Sequence, residues 1–400
     1  MKTAQAQKIT EKVFWTGAMD WTIRNFHGYS TQRGTSYNAY LVIADKITLV
    51  DTVKYPFREE LLSRISSVIP PEKIDYIISN HSEMDHSGAL PYIIEKTRPE
   101  KVFVSVNGAK ALRAHFGDIG PLVPVKTGDK ISLGNMDVSF IETKMLHWPD
   151  SMFSYLHGEE ILFSQDGFGM HLASSELFDD ENDYAILEQE AAKYYANILL
   201  PFSDLITKCV DLYKSLNLKV KYLAPDHGPV WRKHIGDILG LYEKWAQQKP
   251  QRRAVIIYDT MWNSTAMMAD AIAEGLRVAG VPVRLYPMTA SHRSDAVTEV
   301  MNSGAVFVGS PTMNNNIFPT IADILCYLKG LKPKNKIGAA FGSFGWSGES
   351  VPQLGEFMKG MGIELVSEGI SVKYVPDESA LLKCRDLGLE AGRRLNEKCG

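Results

Sequence analysis

Cysteine is scarce in this chain. Cys209, Cys326, Cys384 and Cys399 are the only ones in 400 residues, and no two form a C-x-x-C pair. That excludes a disulfide framework, a zinc-finger site and a rubredoxin-type iron site, and it suits reduced thiols in the cytoplasm. Excess charge of one sign is missing too. The net charge is −4 with no basic run, so the electrostatic footprint of a nucleic-acid binder is absent. No apolar run approaches the roughly 20 residues that span a bilayer. The polar stretch Met1 to Lys12 lacks the apolar core and cleavage site of a secretory signal. Internal repeats and low-complexity segments are lacking as well. What remains is ordinary globular composition, 45% hydrophobic and 22% charged, in a length that suits two or three domains.

The grammar changes near residue 250. Ala246-Gln247-Gln248-Lys249-Pro250-Gln251-Arg252-Arg253 is polar and holds a proline. It separates an apolar-periodic helix (Ile238, Leu241, Tyr242, Trp245) from the β-branched run Val255-Ile256-Ile257-Tyr258. This reads as a linker between a domain over 1–249 and a domain over 250–400. In the first, short strands cluster: a hairpin over 39–43 and 47–51, then 101–104, 138–141 and 161–163, with helical stretches such as 57–68 between. That pattern predicts a layered α+β domain. In the second, strands and helices alternate strictly. Strands are expected at 254–258, 283–286, 305–308 and 337–341, with the last at 363–365 or 370–372. Helices are expected at 264–279, 295–302, 318–328, 351–361 and 379–397. Five β/α units predict an open, doubly wound parallel sheet.

The chemistry-bearing residues gather at strand ends. His81-Ser82-Glu83-Met84-Asp85-His86 follows the apolar strand 74–78 and precedes a helix expected near Ser87. Four metal-type ligands packed at the end of a buried strand repel and desolvate one another unless a cation sits among them. His147, Asp166 and His227 each follow a later strand in the same way. Alone, Asp166 is equally a turn residue and His227 a loop residue; together the seven point to one site.

The layout resembles the metallo-β-lactamase superfamily, an αββα sandwich with a metal site at one edge, over roughly residues 5 to 245. Where the hydrolases carry H-x-H-x-D-H, this chain reads H-x-E-x-D-H. The extra carboxylate is a harder donor and favours iron. H-x-E-x-D-H followed by H, D and H is the pattern of flavodiiron proteins. The resemblance implies one iron on His81, Glu83 and His147, a second on Asp85, His86 and His227, and Asp166 bridging.

In the second half, Thr260, Met261, Trp262, Asn263, Ser264 and Thr265 lie between the first strand and first helix. Hydroxyls and N–H groups at a helix N-terminus suit a phosphate monoester, although the turn also reads as a simple N-cap. The run is not G-x-G-x-x-G, which argues against NAD. Two more loops leave strand ends: Ser310, Pro311, Thr312, Met313, Asn314 and Asn315, and Ser343, Phe344, Gly345, Trp346, Ser347 and Gly348. Ligands bind there in open α/β sheets, and Trp262, Phe344 and Trp346 suit a flat ring. The pattern resembles flavodoxin and implies FMN on a sheet of order 2-1-3-4-5.

The two halves in this order resemble a flavodiiron protein of the rubredoxin:oxygen oxidoreductase type. That implies a cytoplasmic enzyme with FMN and two iron ions, taking electrons from a separate donor such as rubredoxin. It implies reduction of O2 to water, with two electrons from the irons and two from the flavin, and of NO to N2O with two. It also implies a head-to-tail homodimer, which can pair again into a dimer of dimers. His27, His171 and Tyr195 resemble catalytic pocket residues of the family, with packing as the alternative role of each; for Tyr194 packing is the favoured role. Met170 stands where relatives carry a polar amide. The rival readings are a zinc hydrolase fused to flavodoxin and an electron carrier with a vestigial metal domain. Glu83 and the complete ligand set argue against them.

Overall fold

The structure, a computed structural model, describes residues 4–399; the first three residues of the polar N-terminal stretch lie outside them. Short runs of alternating side chains in the first half pair into two sheets. One has seven strands in the order Gln7–Lys8, Val13–Trp15, Tyr40–Val42, Thr48–Val50, Tyr76–Ser79, Lys101–Ser105, Leu122–Val125. The other has five: Lys130–Ser132, Asp137–Glu142, Met152–Leu156, Ile161–Gln165, Tyr222–Pro225. Successive side chains on a strand point to opposite faces, and this decides the layers. Tyr40, Val50, Ile78 and Phe103 meet Phe140, Met152 and Phe163 in the core between the sheets. Leu41, Leu49, Ile77 and Val102 face outward, under Leu61 and Ile65 of helix Arg58–Ser66 and Leu90 and Ile93 of helix Leu90–Thr97. On the outer side of the five-stranded sheet, Phe168 packs at a tilt against Tyr242 of helix Ile235–Gln247 at 4.6 Å. The layers are those of the αββα sandwich expected from the resemblance.

The second half is a parallel sheet in the order Val283–Pro287, Ala254–Tyr258, Ala305–Gly309, Ile337–Phe344, then Glu364–Leu365. That is the expected 2-1-3-4-5. Its central strands Ala254–Tyr258 and Ala305–Gly309 are buried throughout, as strands covered on both faces must be. The last strand uses both candidates: Glu364–Leu365 pairs with the start of Ile337–Phe344 and Ile370–Lys373 with its end. Helices Ser264–Val278 and Glu378–Cys399 lie backbone to backbone. A Cβ on Gly275 would meet the Arg385 carbonyl at 1.9 Å, and one on Gly388 the Ile272 carbonyl at 2.1 Å.

Contacts divide the chain into two units. The second comprises Lys244 onward plus Gly28–Ser30 and Tyr195–Ser203. Those two short pieces are tied to the helix Arg293–Met301. Ser30 N donates to Ser294 Oγ at 3.2 Å, Arg293 Nε to Gly28 O at 3.3 Å, and Asn197 Nδ2 to Ser294 O at 3.0 Å.

Lys336 is buried in this unit, and its ammonium donates to the Met301 carbonyl at 3.2 Å and the Ser303 carbonyl at 2.5 Å. Burial lowers its pKa from 10.5 to about 8. Between those values the unfolded chain holds the proton and the folded chain does not. The penalty for burying the charge is therefore complete below pH 8 and is relieved as pH rises toward 10.5. We expect the unfolding free energy of this unit to climb with pH across that window, by at most about 1.4 kcal/mol per pH unit. Lys336→Met should flatten the slope in urea titrations at pH 7.5 and 9.5; an unchanged slope would assign it to other groups.

Candidate metal centre and flavin pocket

The first strand-end loop is pinned before its ligands begin. Asn80 donates from its backbone N and its Nδ2 to the two oxygens of buried Asp51, at 2.7 and 2.8 Å. Glu83 then caps a single helical turn, Met84–Ser87, which opens earlier than the sequence pattern suggested. His81 and Glu83 are therefore extended, whereas Asp85 and His86 ride on the turn and point inward, both buried. Met84 between them is 50% exposed, so the turn has an outer and an inner side.

The seven expected ligands converge. His81, Glu83, His147 and Asp166 form one group and Asp85, His86 and His227 another, each with donor atoms within 4.8 Å of one another. In the first, His147 Nε2 lies 3.1 Å from both Glu83 Oε2 and Asp166 Oδ2, and His81 Nε2 lies 3.3 Å from Asp166 Oδ2. In the second, His227 Nε2 is 3.1 Å from Asp85 Oδ2, and His86 Nε2 is 3.1 Å from Asp166 Oδ1. Asp166 thus turns one oxygen to each group.

The donor set fits a pair of cations. His81 Nε2, Asp85 Oδ1 and Asp166 Oδ2 are buried without a hydrogen-bond partner. Orphaned buried donors and acceptors are costly; His81 Nε2 and Asp166 Oδ2 face the first group, where a metal would take their lone pairs. The far sides of the rings face acceptors. His227 Nδ1 lies 2.5 Å from the Ser36 carbonyl, which can only accept, so Nδ1 carries a hydrogen and Nε2 is the atom turned to the centre. His81 Nδ1 faces Asp150 Oδ2 at 3.2 Å and His86 Nδ1 faces Asp226 Oδ2 at 3.3 Å. Nitrogen and carboxylate donors without sulfur are an iron-compatible set.

Without metal the cluster holds itself by charge. Burial alone would raise the Asp166 carboxyl, but His86, His147 and His81 outweigh it and hold the group well below the usual carboxylate range. Burial likewise opposes the charge on Glu83, yet His147 and His81 bring it down to about 2. Burial pulls the His86 imidazole down; Asp85, Asp166 and Asp226 prevail and raise it to about 10.

The remaining pocket residues fall differently. His171 is buried, with Nδ1 2.9 Å from the Thr35 hydroxyl and its ring 4.7 Å from that of His227. Burial, reinforced by His227, holds it well below the ordinary imidazole range, so it is neutral. Met170 is fully buried beside Gly228. His27 is exposed and edge-on to Phe26 at 4.6 Å, and Phe26 is the ring that reaches His171, at 4.9 Å. Tyr195 requires a correction. Its hydroxyl lies 3.3 Å from Ser203 Oγ and its ring packs on Trp245 at 5.3 Å. Tyr194 takes the expected place, donating to Asp166 Oδ1 at 2.9 Å. The α-helix Tyr184–Tyr194 passes into a π-turn at Tyr195, and neighbours about 100° apart on a helix cannot share a partner. Asp150, Asp226 and Thr35 were also missed. Both aspartates stand beside expected ligands in sequence, but nothing in their spacing says that they face a ring from behind.

The three loops of the second unit surround a cavity of about 410 Å³. It is lined by Met261, Trp262, Ser264, Pro311, Thr312, Ser343, Phe344, Gly345 and Trp346, joined by Tyr374 and Val375, which the sequence reading omitted although they follow the last strand. Trp262 is 89% exposed and Trp346 86%. The other expected residues brace the loops. Thr265 Oγ1 meets Ser343 Oγ at 3.0 Å, Asn315 Nδ2 reaches Ser347 Oγ at 3.4 Å, and Phe318 N donates to Ser310 Oγ at 2.9 Å. Asn263, Asn314 and Asn315 take positive φ at the bends, Met313 is 38% exposed, and Gly348 lies against Phe344. The Thr260 hydroxyl is buried with no hydrogen-bond partner, directly before the N-terminus of helix Ser264–Val278. A phosphate seated there would satisfy it.

Residues 35–228 match the family model described as ODP family beta lactamase, and 256–388 match that of flavodoxin. The nitric oxide reductase of Moorella thermoacetica is 46% identical, over 98% of this chain and 99% of the other. A solved rubredoxin oxygen:oxidoreductase from Desulfovibrio gigas superposes with a TM-score of 0.97 at 44% identity, covering 99% of this chain and 100% of that one. The flavodiiron protein of Giardia intestinalis superposes with a TM-score of 0.96 at 35% identity, covering 100% and 98%. No helix among the described residues is long and apolar enough to cross a membrane.

Proposed function

As relatives 44 to 46% identical over nearly their full length carry both halves, this chain belongs to the flavodiiron protein family, and from that membership we propose that it reduces O2 to water, NO to N2O, or both, with electrons from a rubredoxin-type donor. The observation that carries the reading is the convergence of seven donors in two groups, joined by a carboxylate that turns one oxygen to each. When bound, FMN supplies electrons in pairs or singly, and two irons supply two adjacent positions for a diatomic gas and its electrons. His81, Glu83 and His147 would hold one iron and Asp85, His86 and His227 the other, with Asp166 offering an oxygen to each group.

The chain's own residues prepare the pocket. Tyr194, whose phenol burial and Asp166 keep protonated, fixes the bridging carboxylate by donating to it. Neutral His171, braced by Thr35, presents an uncharged ring beside His227 and so does not repel a cation. His27 lies farther out and suits a role at the pocket mouth. Each O2 consumes four protons and each pair of NO two, so water access through this side matters to the rate.

Thr260, Ser264 and the following helix N-terminus would bind the FMN phosphate, and Trp262, Trp346 and Tyr374 would cover the flavin ring. Thr260→Val should weaken FMN binding by roughly one to two orders of magnitude, the value of a hydrogen bond to a charged group. Flavin fluorescence titration of the stripped protein reads it, and unchanged affinity would remove Thr260 from the phosphate site. The working form is a head-to-tail homodimer, supported by the large exposed aromatic rim of the flavin pocket. A monomer with full activity would contradict it. Four cysteines without a disulfide suit the cytoplasm of an anaerobe, where removing either gas is protective.

The test is gas consumption by the reduced enzyme at O2 and NO electrodes. Fast uptake of one gas assigns an oxidase or an NO reductase, and comparable rates a dual enzyme. No uptake with iron and flavin both bound would overturn the proposal.

A further inference from the structure

We propose that Asp226 is the positioning residue for the second metal: it orients His86 from behind, and its own burial is tolerated because a cation is bound on the other side of that ring. The rings of His81, His86 and His227 differ in what stands behind them. Behind His81, Asp150 Oδ2 also accepts from Ser82 N and Ser82 Oγ, each at 2.7 Å, so it is satisfied by the fold itself. Behind His227 stands a neutral carbonyl. Behind His86, Asp226 is fully buried, and neither carboxylate oxygen has a hydrogen bond of good geometry; His86 Nδ1, at 3.3 Å, is the donor placed against it.

The backbone of Asp226 is fully used. Its N–H donates to Gln165 O at 2.8 Å and its carbonyl accepts from Asn38 N at 2.7 Å. The main chain is therefore anchored independently of the side chain, and an apolar residue would fill the position at less cost. On the other side of the His86 ring stands Asp166 Oδ1, 3.1 Å from Nε2. With Nε2 engaged in ligation, Nδ1–H becomes a stronger donor and the carboxylate behind it gains its partner, the arrangement that orients metal-bound imidazoles generally. Asp226 therefore acts on the position held by Asp85, His86 and His227 and not on its neighbour.

This inference rests on the two-metal reading, and the experiment separates the two. Iron-loaded wild type and Asp226→Asn are challenged with a chelator while iron release and flavin absorbance are followed, and each is titrated reductively. We expect one of the two irons to leave the variant 10- to 100-fold faster, its midpoint potential to shift, and FMN content to stay the same; Asp226→Glu should recover part of the retention. Both irons retained as in wild type, with unshifted potentials, would reduce Asp226 to packing. Wild type that holds fewer than two metals would instead overturn the two-metal reading. If Asp226→Asn does not fold, zinc-loaded wild type decides by NMR. A downfield, slowly exchanging Nδ1–H on His86 supports the pair, and its absence overturns it.

Discussion

Asp166→Ala should abolish gas reduction while leaving the flavin bound. On the proposed assignment Asp166 is the one ligand that both metal groups share: Oδ2 lies 3.1 Å from His147 Nε2 and 3.3 Å from His81 Nε2, and Oδ1 lies 3.1 Å from His86 Nε2. Removing it takes a ligand from each metal and leaves the Tyr194 hydroxyl without its acceptor. The substrate needs two metals side by side, so losing either is as harmful as losing both. A loss of on the order of a thousand-fold or more in rate, about 4 kcal/mol in the barrier, is expected at the O2 and NO electrodes. Iron should fall below two per chain by elemental analysis, and the flavin spectrum should be unchanged, because the flavin-pocket residues belong to the other unit. Two irons and a rate within tenfold of wild type would show that Asp166 does not bridge.

Gly275→Ala carries the second large effect, and helix propensity alone gives it the wrong sign. Within a helix, alanine is favoured over glycine by about 1 kcal/mol. Here the added carbon would lie 1.9 Å from the Arg385 carbonyl and 2.7 Å from the Leu389 amide. Both are backbone atoms of the facing helix, so no rotamer change relieves the clash. Overpacking costs of roughly 1–3 kcal/mol apply where side chains can adjust, and a backbone clash belongs at or above the top of that range. We expect a net loss of about 3 kcal/mol and a melting temperature lower by about 10 °C or more. FMN should also be lost, because helix Ser264–Val278 begins directly after the phosphate loop and cannot shift without moving it. Gly388→Ala should act alike, and the double variant should cost less than the sum, since both relieve or strain one interface. A more stable Gly275→Ala would refute the close approach.

Much of this was legible from residue order, for a physical reason. Ligands at strand ends are read from the strand and from residue type, and both are local. The seven residues that converge in two groups, His81, Glu83, Asp85, His86, His147, Asp166 and His227, could thus be named before any contact was known, as could the parallel sheet, whose strands are apolar on both faces. What escaped depends on angle. Tyr194 and Tyr195 are neighbours of one type, and only the passage from α-helix to π-turn decides which faces Asp166. Asp226 sits beside His227 in sequence yet serves His86 across the site. Tyr374 follows the final strand, but two candidates for that strand left its end undetermined.

The pieces Gly28–Ser30 and Tyr195–Ser203 bear on how such a protein could be taken apart or recombined. Both belong by their contacts to the flavin-binding unit although they are encoded far upstream of it. A gene fragment starting at residue 250 would specify every strand of the parallel sheet but would omit the partners of Ser294 and Arg293 on helix Arg293–Met301. The boundary visible in the sequence is therefore not a clean seam. A shuffled or transplanted flavin cassette would need those upstream segments supplied, or new residues to cover the helix they leave bare.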